Sequence, residues 1–233
     1  MPQGARIVFM HYIIGIDEVG RGSLAGPVAV AAVAIPKNFR YSKKLVPCEL
    51  RDSKRLTQKQ REAWYRYLTQ HPSLCYSKAR VYPRRIEKLN IAKAANIAAL
   101  RALERLSKTQ NLTPKTCRIL LDGGLYLGNT SRRVQTTGQG SAKKVRVHPR
   151  DVPRYSASTL VRGDERIPAI QMASIIAKVS RDRFMVKLAK QYPVYGFDIH
   201  KGYGTKAHFA AIRKHGPSEA HRLTFLSRRY SMS

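Results

Sequence analysis

Hydrophobic positions along this chain repeat in two rhythms. Residues 12–17 ("YIIGID") and 28–35 ("VAVAAVAI") are short and rich in Ile, Val and Ala, with a Gly-rich link between them, which predicts two neighbouring strands. In "LTQKQREAWYRYL", Thr57 and Gln60 have capping-box spacing ahead of Trp64 and Leu68, which predicts a helix start. "SLCYSKARVYP" alternates as a third strand. "NIAKAANIAALRALERLSK" then places Ile91, Ala95, Ala98, Ala102 and Leu106 on one helical face.

"CRILLDGG" reads as a buried strand ending at Asp122, and "STLVRGD" as another ending at Asp164. A long helix is predicted from about Pro168, with Ile170, Ala173, Ala177, Phe184 and Leu188 on one stripe. Thr205 is placed to cap "KAHFAAIRKH", which stops at Gly216 and Pro217. This order predicts an α/β domain with a mixed sheet over residues 12–192, a leading segment 1–11 and a small helical extension 193–233. Residues 128–156 lack apolar periodicity and carry seven Lys or Arg against a single acid. They are expected to be a basic loop or a short hairpin centred on "KVRVHP".

Charge narrows the choice of partner. The 44 Lys and Arg against 14 Asp and Glu give a formal net charge of +30, which suits a polyanion, because cations placed on phosphates release condensed counterions. Nucleic acid comes first and an anionic membrane surface second. The longest apolar run, residues 24–35, is shorter than the roughly 20 residues of a spanning helix, so no membrane segment is expected. Cys48, Cys75 and Cys117 form no CxxC pair and suit reduced thiols of a cytoplasmic protein rather than a zinc site.

Scarce acids in such a basic chain stand out by position. Asp17, Glu18, Asp122 and Asp164 each follow a strand-like apolar run and precede or adjoin glycine. Taken singly, such acids cap helices or pair with surface arginines. Gathered at strand ends they repel one another, and a divalent cation with a preference for hard oxygen ligands, Mg²⁺ or Mn²⁺, relieves that repulsion. Paired cations suit phosphoryl transfer. Because consecutive strand residues face opposite ways, Asp17 and Glu18 are expected to share a site only if the backbone turns at Val19 and Gly20.

Two Gly-rich loops accompany the acids. "GRG" (Gly20, Arg21, Gly22) lets backbone approach a ligand and adds one guanidinium, although a plain turn reads the same way. "HKGYGT" displays Tyr203, either for stacking or simply as an exposed loop residue. His200, His208, His215 and His221 are expected to contact phosphate or solvent. No HExxH, GxSxG or GxxxxGK[ST] motif is present.

"GIDEVGRGSLAGPVAVAAVAI", "DSKRLTQKQRE", "NIAKAANIAAL", "LLDGG", "GDERIPAIQMASIIAKVSRDR", "YGFDIHKGYGTKAH" and "HRLTF" together resemble the type 2 ribonucleases H, the ribonuclease HII family, in order over about residues 12–226. The resemblance implies a ribonuclease H-like mixed sheet flanked by helices, with a C-terminal helical extension. It implies that Asp17, Glu18, Asp122 and Asp164 are metal-binding catalytic carboxylates holding Mn²⁺ or Mg²⁺, two ions during catalysis. Gly20, Arg21 and Gly22 then read the ribonucleotide 2′-hydroxyl, Tyr203 senses the RNA–DNA junction, and Lys54 and Lys201 complete the substrate-binding candidates.

The implied reaction is hydrolysis on the 5′ side of ribonucleotides, in RNA–DNA hybrids or embedded singly in duplex DNA, leaving 3′-hydroxyl and 5′-phosphate ends. A role in ribonucleotide removal during DNA repair and replication follows. A replication clamp is a candidate partner, and a monomer is the expected state. The chain departs from the pattern at Ser23, where proline is expected, and at Glu165, where a small residue is expected. The interval from Asp122 to Asp164 is also longer, its excess falling in residues 128–156, which are expected to add phosphate contacts. A resolvase-type DNA nuclease or a non-catalytic RNA-binding protein are the rival readings.

Overall fold

In the computed structural model, β1 (Tyr12–Val19) and β2 (Val28–Pro36) pair antiparallel, Tyr12 opposite Pro36 and Val19 opposite Ala29. Residues 12–42, 44–46, 48–110, 112–113, 117–127, 131–133 and 157–230 are described. β3 (Cys75–Val81) adds antiparallel to β2, and β4 (Cys117–Asp122) lies parallel to β1 on its other side. β5 (Ser131–Arg133) and β6 (Ala157–Leu160) complete a six-stranded mixed sheet in the order β3-β2-β1-β4-β6-β5. β2 is buried over its first eight residues, as a strand covered on both faces must be.

Helices supply those covers. α1 (Gln58–Gln70) starts at a complete capping box between Thr57 and Gln60. After α2 (Pro83–Leu89), α3 (Ile91–Gln110) buries Ala95, Ala98, Ala102 and Leu106, the small alanines letting it lie close on β2 and β3. Ile14, Ile16, Val28 and Val30 share that core. The one-turn α4 (Gly163–Arg166) leads into α5 (Pro168–Gln191). With Trp64 and Leu68 of α1, α5 covers Ala31 and Val33 on the opposite face.

α5 is not the one-striped helix that its periodicity predicts. Gln171, Met172, Ser174 and Ile175 are buried along with Ile170 and Ala173, because the first turns are enclosed by the sheet, α1 and the 3-10 turn Ser53–Arg55. The strand expected to end at Asp164 stops at Leu160; Arg162 takes a left-handed conformation, and Asp164 sits in α4. Of the basic stretch 128–156, residues 131–133 form β5, and "KVRVHP" lies outside the described residues.

α6 (Phe197–His200), α7 (Lys206–His215) and α8 (Leu223–Tyr230) follow. They share a third core in which Tyr195, Phe197, Ile212 and Leu226 meet Met185 of α5 and Leu24 and Ala25 of the β1–β2 loop. Two histidines expected to face phosphate or solvent belong to this interior: His208 is 0% and His221 2% exposed.

Their hydrogen bonds fix both tautomers. Ser218 N–H donates to His221 Nδ1 (2.9 Å), His221 Nε2 faces His208 Nε2 (3.1 Å), and His208 Nδ1 meets the Tyr203 carbonyl (2.9 Å). Each ring therefore donates from one nitrogen and accepts at the other, and both are neutral.

Candidate active site

Parallel strands of unequal reach build the acidic cluster. β1 pairs with β4 only as far as Ile16 opposite Leu121, so Asp17 lies past the last shared rung, next to Asp122 at the end of β4. β1 itself continues through Val19. The backbone leaves the strand only at Gly20, φ +86°, so the turn expected at Val19 and Gly20 comes after both acids and does not bring them together: Asp17 and Glu18 keep the alternation of a strand, Asp17 toward α5 and Glu18 toward the α3 side. They meet Asp122 because the neighbouring strand has ended, leaving both faces open to one rim.

Hydrogen bonds orient the cluster. Asp17, 4% exposed, accepts from the Glu18 N–H at 2.7 Å, and Ser174 of α5 also bonds its carboxyl. Asp122 Oδ1 accepts from the N–H groups of Gly163 (2.8 Å) and Asp164 (3.3 Å), which ties α4 to β4. Asp164 is buried and accepts from Lys54 Nζ at 3.1 Å. Its neighbour Glu165 instead pairs with exposed Arg162 at 3.9 Å and has a half-exposed side chain. Of these two acids it is Asp164 that faces the cluster.

Burial pushes Asp17 well above the ordinary carboxylate range, and Glu18 and Asp122 push it further. Burial also raises Glu18, against the pull of Arg21, and raises Asp122, with Asp164 adding to the shift. Lys54 is raised: burial lowers it, but Asp164, Asp52 and Asp17 outweigh that effect. Four carboxyl groups thus repel one another across a desolvated rim.

Among the described residues no three Asp, Glu, His or Cys side chains stand in a ready metal-binding arrangement. Their oxygens turn instead to Gly163, Lys54 and Arg21. The donor set nevertheless suits a hard divalent cation, and Glu18 Oε2 is buried with no hydrogen-bond partner among the described residues. A cation held by these carboxylates would offset their repulsion.

Beside the acids runs the glycine-arginine-glycine turn. Arg21 Nη1 donates to Glu18 Oε1 (3.0 Å) and to the Gly124 carbonyl (2.7 Å), joining the turn to the end of β4. Gly22 is exposed, and a Cβ built on it meets nothing within 4 Å. No packing requirement of the fold explains glycine there. Tyr203, 36% exposed, has the Arg181 guanidinium 5.5 Å and Lys178 Nζ 5.8 Å from its ring centre. Lys201 takes a left-handed conformation after α6, its Nζ donating to the Asp198 carbonyl. It is not drawn to the acids.

Sequence reading missed two residues beside this turn: Arg181 and Arg222, each 0% exposed. One signal for Arg181 was available, since residue 181 falls on the apolar stripe between Ala177 and Phe184, where a charged side chain is out of place.

The family model described as ribonuclease HII matches residues 14–229. Ribonuclease HII of Chlamydia pneumoniae is 38% identical over 213 residues, covering 91% of this chain and 82% of that protein. The Pelagibacter ubique ribonuclease HII is 38% identical over 216 residues, covering 93% and 96%. Among solved structures, ribonuclease H2 from Pyrococcus horikoshii OT3 superposes with a TM-score of 0.63 at 23% identity, over 91% of this chain and 93% of that one.

Proposed function

Because the chain belongs to the ribonuclease HII family, and is thus a type 2 ribonuclease H and a hydrolase, we propose that it cuts the phosphodiester 5′ to ribonucleotides in RNA–DNA hybrids and to single ribonucleotides in duplex DNA. The products are 3′-hydroxyl and 5′-phosphate ends. One observation carries this reading: four carboxyl groups at a sheet rim adjoin a turn whose exposed Gly22 has open space over its Cα.

Asp17, Glu18, Asp122 and Asp164 hold divalent cations, Mg²⁺ or Mn²⁺. When bound, these supply positive charge to the attacking and leaving oxygens of the phosphodiester. The protein's own groups do the rest. Gly22 and the backbone around it approach the sugar closely enough to accept a 2′-hydroxyl and leave no side chain in its way. Arg21, held by Glu18 and the Gly124 carbonyl, faces the scissile region from the turn. In this reading Lys54, beside Asp164, and Lys201 contact phosphates, and Tyr203 contacts the sugar at the junction.

No helix among the described residues is long and apolar enough to cross a membrane. The net charge of +30 suits duplex binding that weakens with salt. Removal of ribonucleotides from DNA during repair and replication is the role this chemistry serves.

A labelled DNA duplex carrying one ribonucleotide, incubated with Mg²⁺ or Mn²⁺, tests the proposal. A single cut 5′ to the ribonucleotide and none in the all-DNA duplex is expected. Equal cutting of both duplexes points to a DNA nuclease, and no cutting with either metal points to a binding protein.

A further inference from the structure

Two buried guanidinium groups lie between the glycine-arginine-glycine turn and the C-terminal extension. Arg181 of α5 donates from Nε to the Pro27 carbonyl (2.9 Å), from Nη1 to the Lys201 carbonyl (2.9 Å), and from Nη2 to Ser23 Oγ (2.8 Å) and the Ala25 carbonyl (3.1 Å). Arg222, just before α8, donates from Nε and Nη2 to the Gly26 carbonyl (3.0 and 2.8 Å) and from Nη1 to the Arg21 carbonyl (2.9 Å). Neither forms an ion pair among the described residues.

Burying an unpaired charge is costly, and a site that merely needed packing is served better by Leu or Met. What a guanidinium offers in exchange is a planar fork of five N–H donors, able to bind several carbonyls at fixed angles. Here every acceptor belongs either to the β1–β2 loop, residues 21–27, or to the Tyr203 loop.

Backbone hydrogen bonds run between the same segments. Leu24 N–H donates to the Gly202 carbonyl (2.8 Å), Gly26 N–H to the Ala220 carbonyl (2.8 Å), and Arg222 N–H to the Leu24 carbonyl (2.7 Å). The approach is close enough to demand glycine. A Cβ on Gly20, which has φ +86°, meets Arg181 Nε at 2.2 Å, and one on Gly202, φ +81°, meets the Ala25 carbonyl oxygen at 2.5 Å. The Arg181 guanidinium also faces the Tyr203 ring. Ser23, standing where the resemblance leads one to expect proline, gives Arg181 a side-chain acceptor that proline lacks.

We propose that Arg181 and Arg222 are positioning residues for ribonucleotide recognition: they fix the glycine-arginine-glycine turn and the Tyr203 loop as one rigid unit, so that sugar and junction are read together. This rests on the proposed function above. Neither arginine touches substrate. Each acts through the carbonyls it orders, which decide where Gly22 and Tyr203 stand relative to Asp17 and Asp122.

Full-length Arg181→Lys and Ser23→Ala proteins test it, assayed for kcat and KM on the single-ribonucleotide duplex and on the matching all-DNA duplex, with melting recorded for each. Arg181→Lys keeps the charge but not the fork. It is expected to lower kcat on the single-ribonucleotide duplex by about 10- to 100-fold, the scale of a 1 Å misplacement, with KM and the salt dependence of binding unchanged. Ser23→Ala removes one bond to Nη2 and is expected to lower kcat about threefold, with melting near wild type.

A purely structural role predicts lower melting temperatures with wild-type kcat per folded molecule. That outcome in either folded variant overturns the proposal, and if Arg181→Lys fails to fold, Ser23→Ala decides alone. Failure of the wild-type protein to prefer the ribonucleotide duplex instead overturns the proposed function itself.

Discussion

The acidic rim and the arginine clamp are two clusters of buried charge, separated by a few residues of the β1–β2 loop, and they handle desolvation in opposite ways. At the rim, like charges face one another. Asp17, Glu18 and Asp122 are held above their ordinary range by burial and by mutual repulsion, with Lys54 and Arg21 as partial relief. In the clamp, the charges of Arg181 and Arg222 are spread over backbone carbonyls that point at them from fixed positions. The rim thus keeps a mutual repulsion that the protein only partly relieves, whereas the clamp, although burial lowers both guanidinium groups, gives each of them backbone acceptors. That difference suits the proposed cation site at the rim and the proposed positioning role of the clamp.

The largest expected effect tests the rim. Asp17→Asn should reduce cleavage by about 10³-fold or more, equivalent to several kcal/mol of lost charge stabilisation, while duplex binding survives on the basic surface. It should also stabilise the metal-free protein. A carboxyl whose folded pKa is raised loses stability as pH rises through that value, so a neutral amide removes a penalty present at pH 7. Calorimetry without metal should record a melting temperature higher by about 2–4 °C, the shift that about 1 kcal/mol produces in a chain this size. Lower melting would erase the contrast with the clamp.

Next in size is Gly22→Ala. Because a Cβ there meets no protein atom within 4 Å, melting should stay within about 2 °C of wild type. Cleavage 5′ to the ribonucleotide should nonetheless fall about tenfold or more, since the methyl group occupies the approach to the sugar. Wild-type rates would mean that the open space is not where substrate sits.

A smaller effect belongs to pH. Burial lowers both His208 and His221 from the ordinary 6.5 to about 4, and His200, stacked on His208, is lowered as well. These are bases with depressed folded values, so their stability contribution is complete above about pH 6.5 and is lost as pH falls toward about 4. Hydrogen exchange in α7 and α8 should accelerate across that window ahead of exchange in β1 and β2. Uniform protection down to pH 4.5 would show that the histidine chain does not hold the extension.

The smallest effect is expected at Glu165. Its exposed pair with Arg162 lies outside the cluster, and Glu165→Gln should leave cleavage within about twofold of wild type in a direct rate assay. A large loss would place it beside Asp164 after all.

Much of this molecule is legible along the chain. The capping box at Thr57, the alanine face of α3, the Thr205 cap and the strand ending at Asp122 depend on local rules that tertiary contacts leave intact. The acids stand out because they are rare in a basic chain and follow apolar runs. Placing Asp164 at a strand end failed because the left-handed turn at Arg162 lies inside a stretch that reads as extended. His208 and His221 misled because a basic, polar segment does not announce the small core beneath it.

The sequence alone determined the charge and most of the elements, and it singled out the four candidate acids, since helix and strand periodicity, capping and turn chemistry are set by neighbours a few residues away. Only the tertiary structure decided how Asp17 and Glu18 meet Asp122, which follows from β4 ending before β1, and which of Asp164 and Glu165 faces inward. It also decided that Arg181 and Arg222 are buried. A side chain's solvation and partners are fixed by segments 20 to 201 residues away, as between Arg181 and Lys201 or Arg222 and Arg21, and no local pattern carries that information.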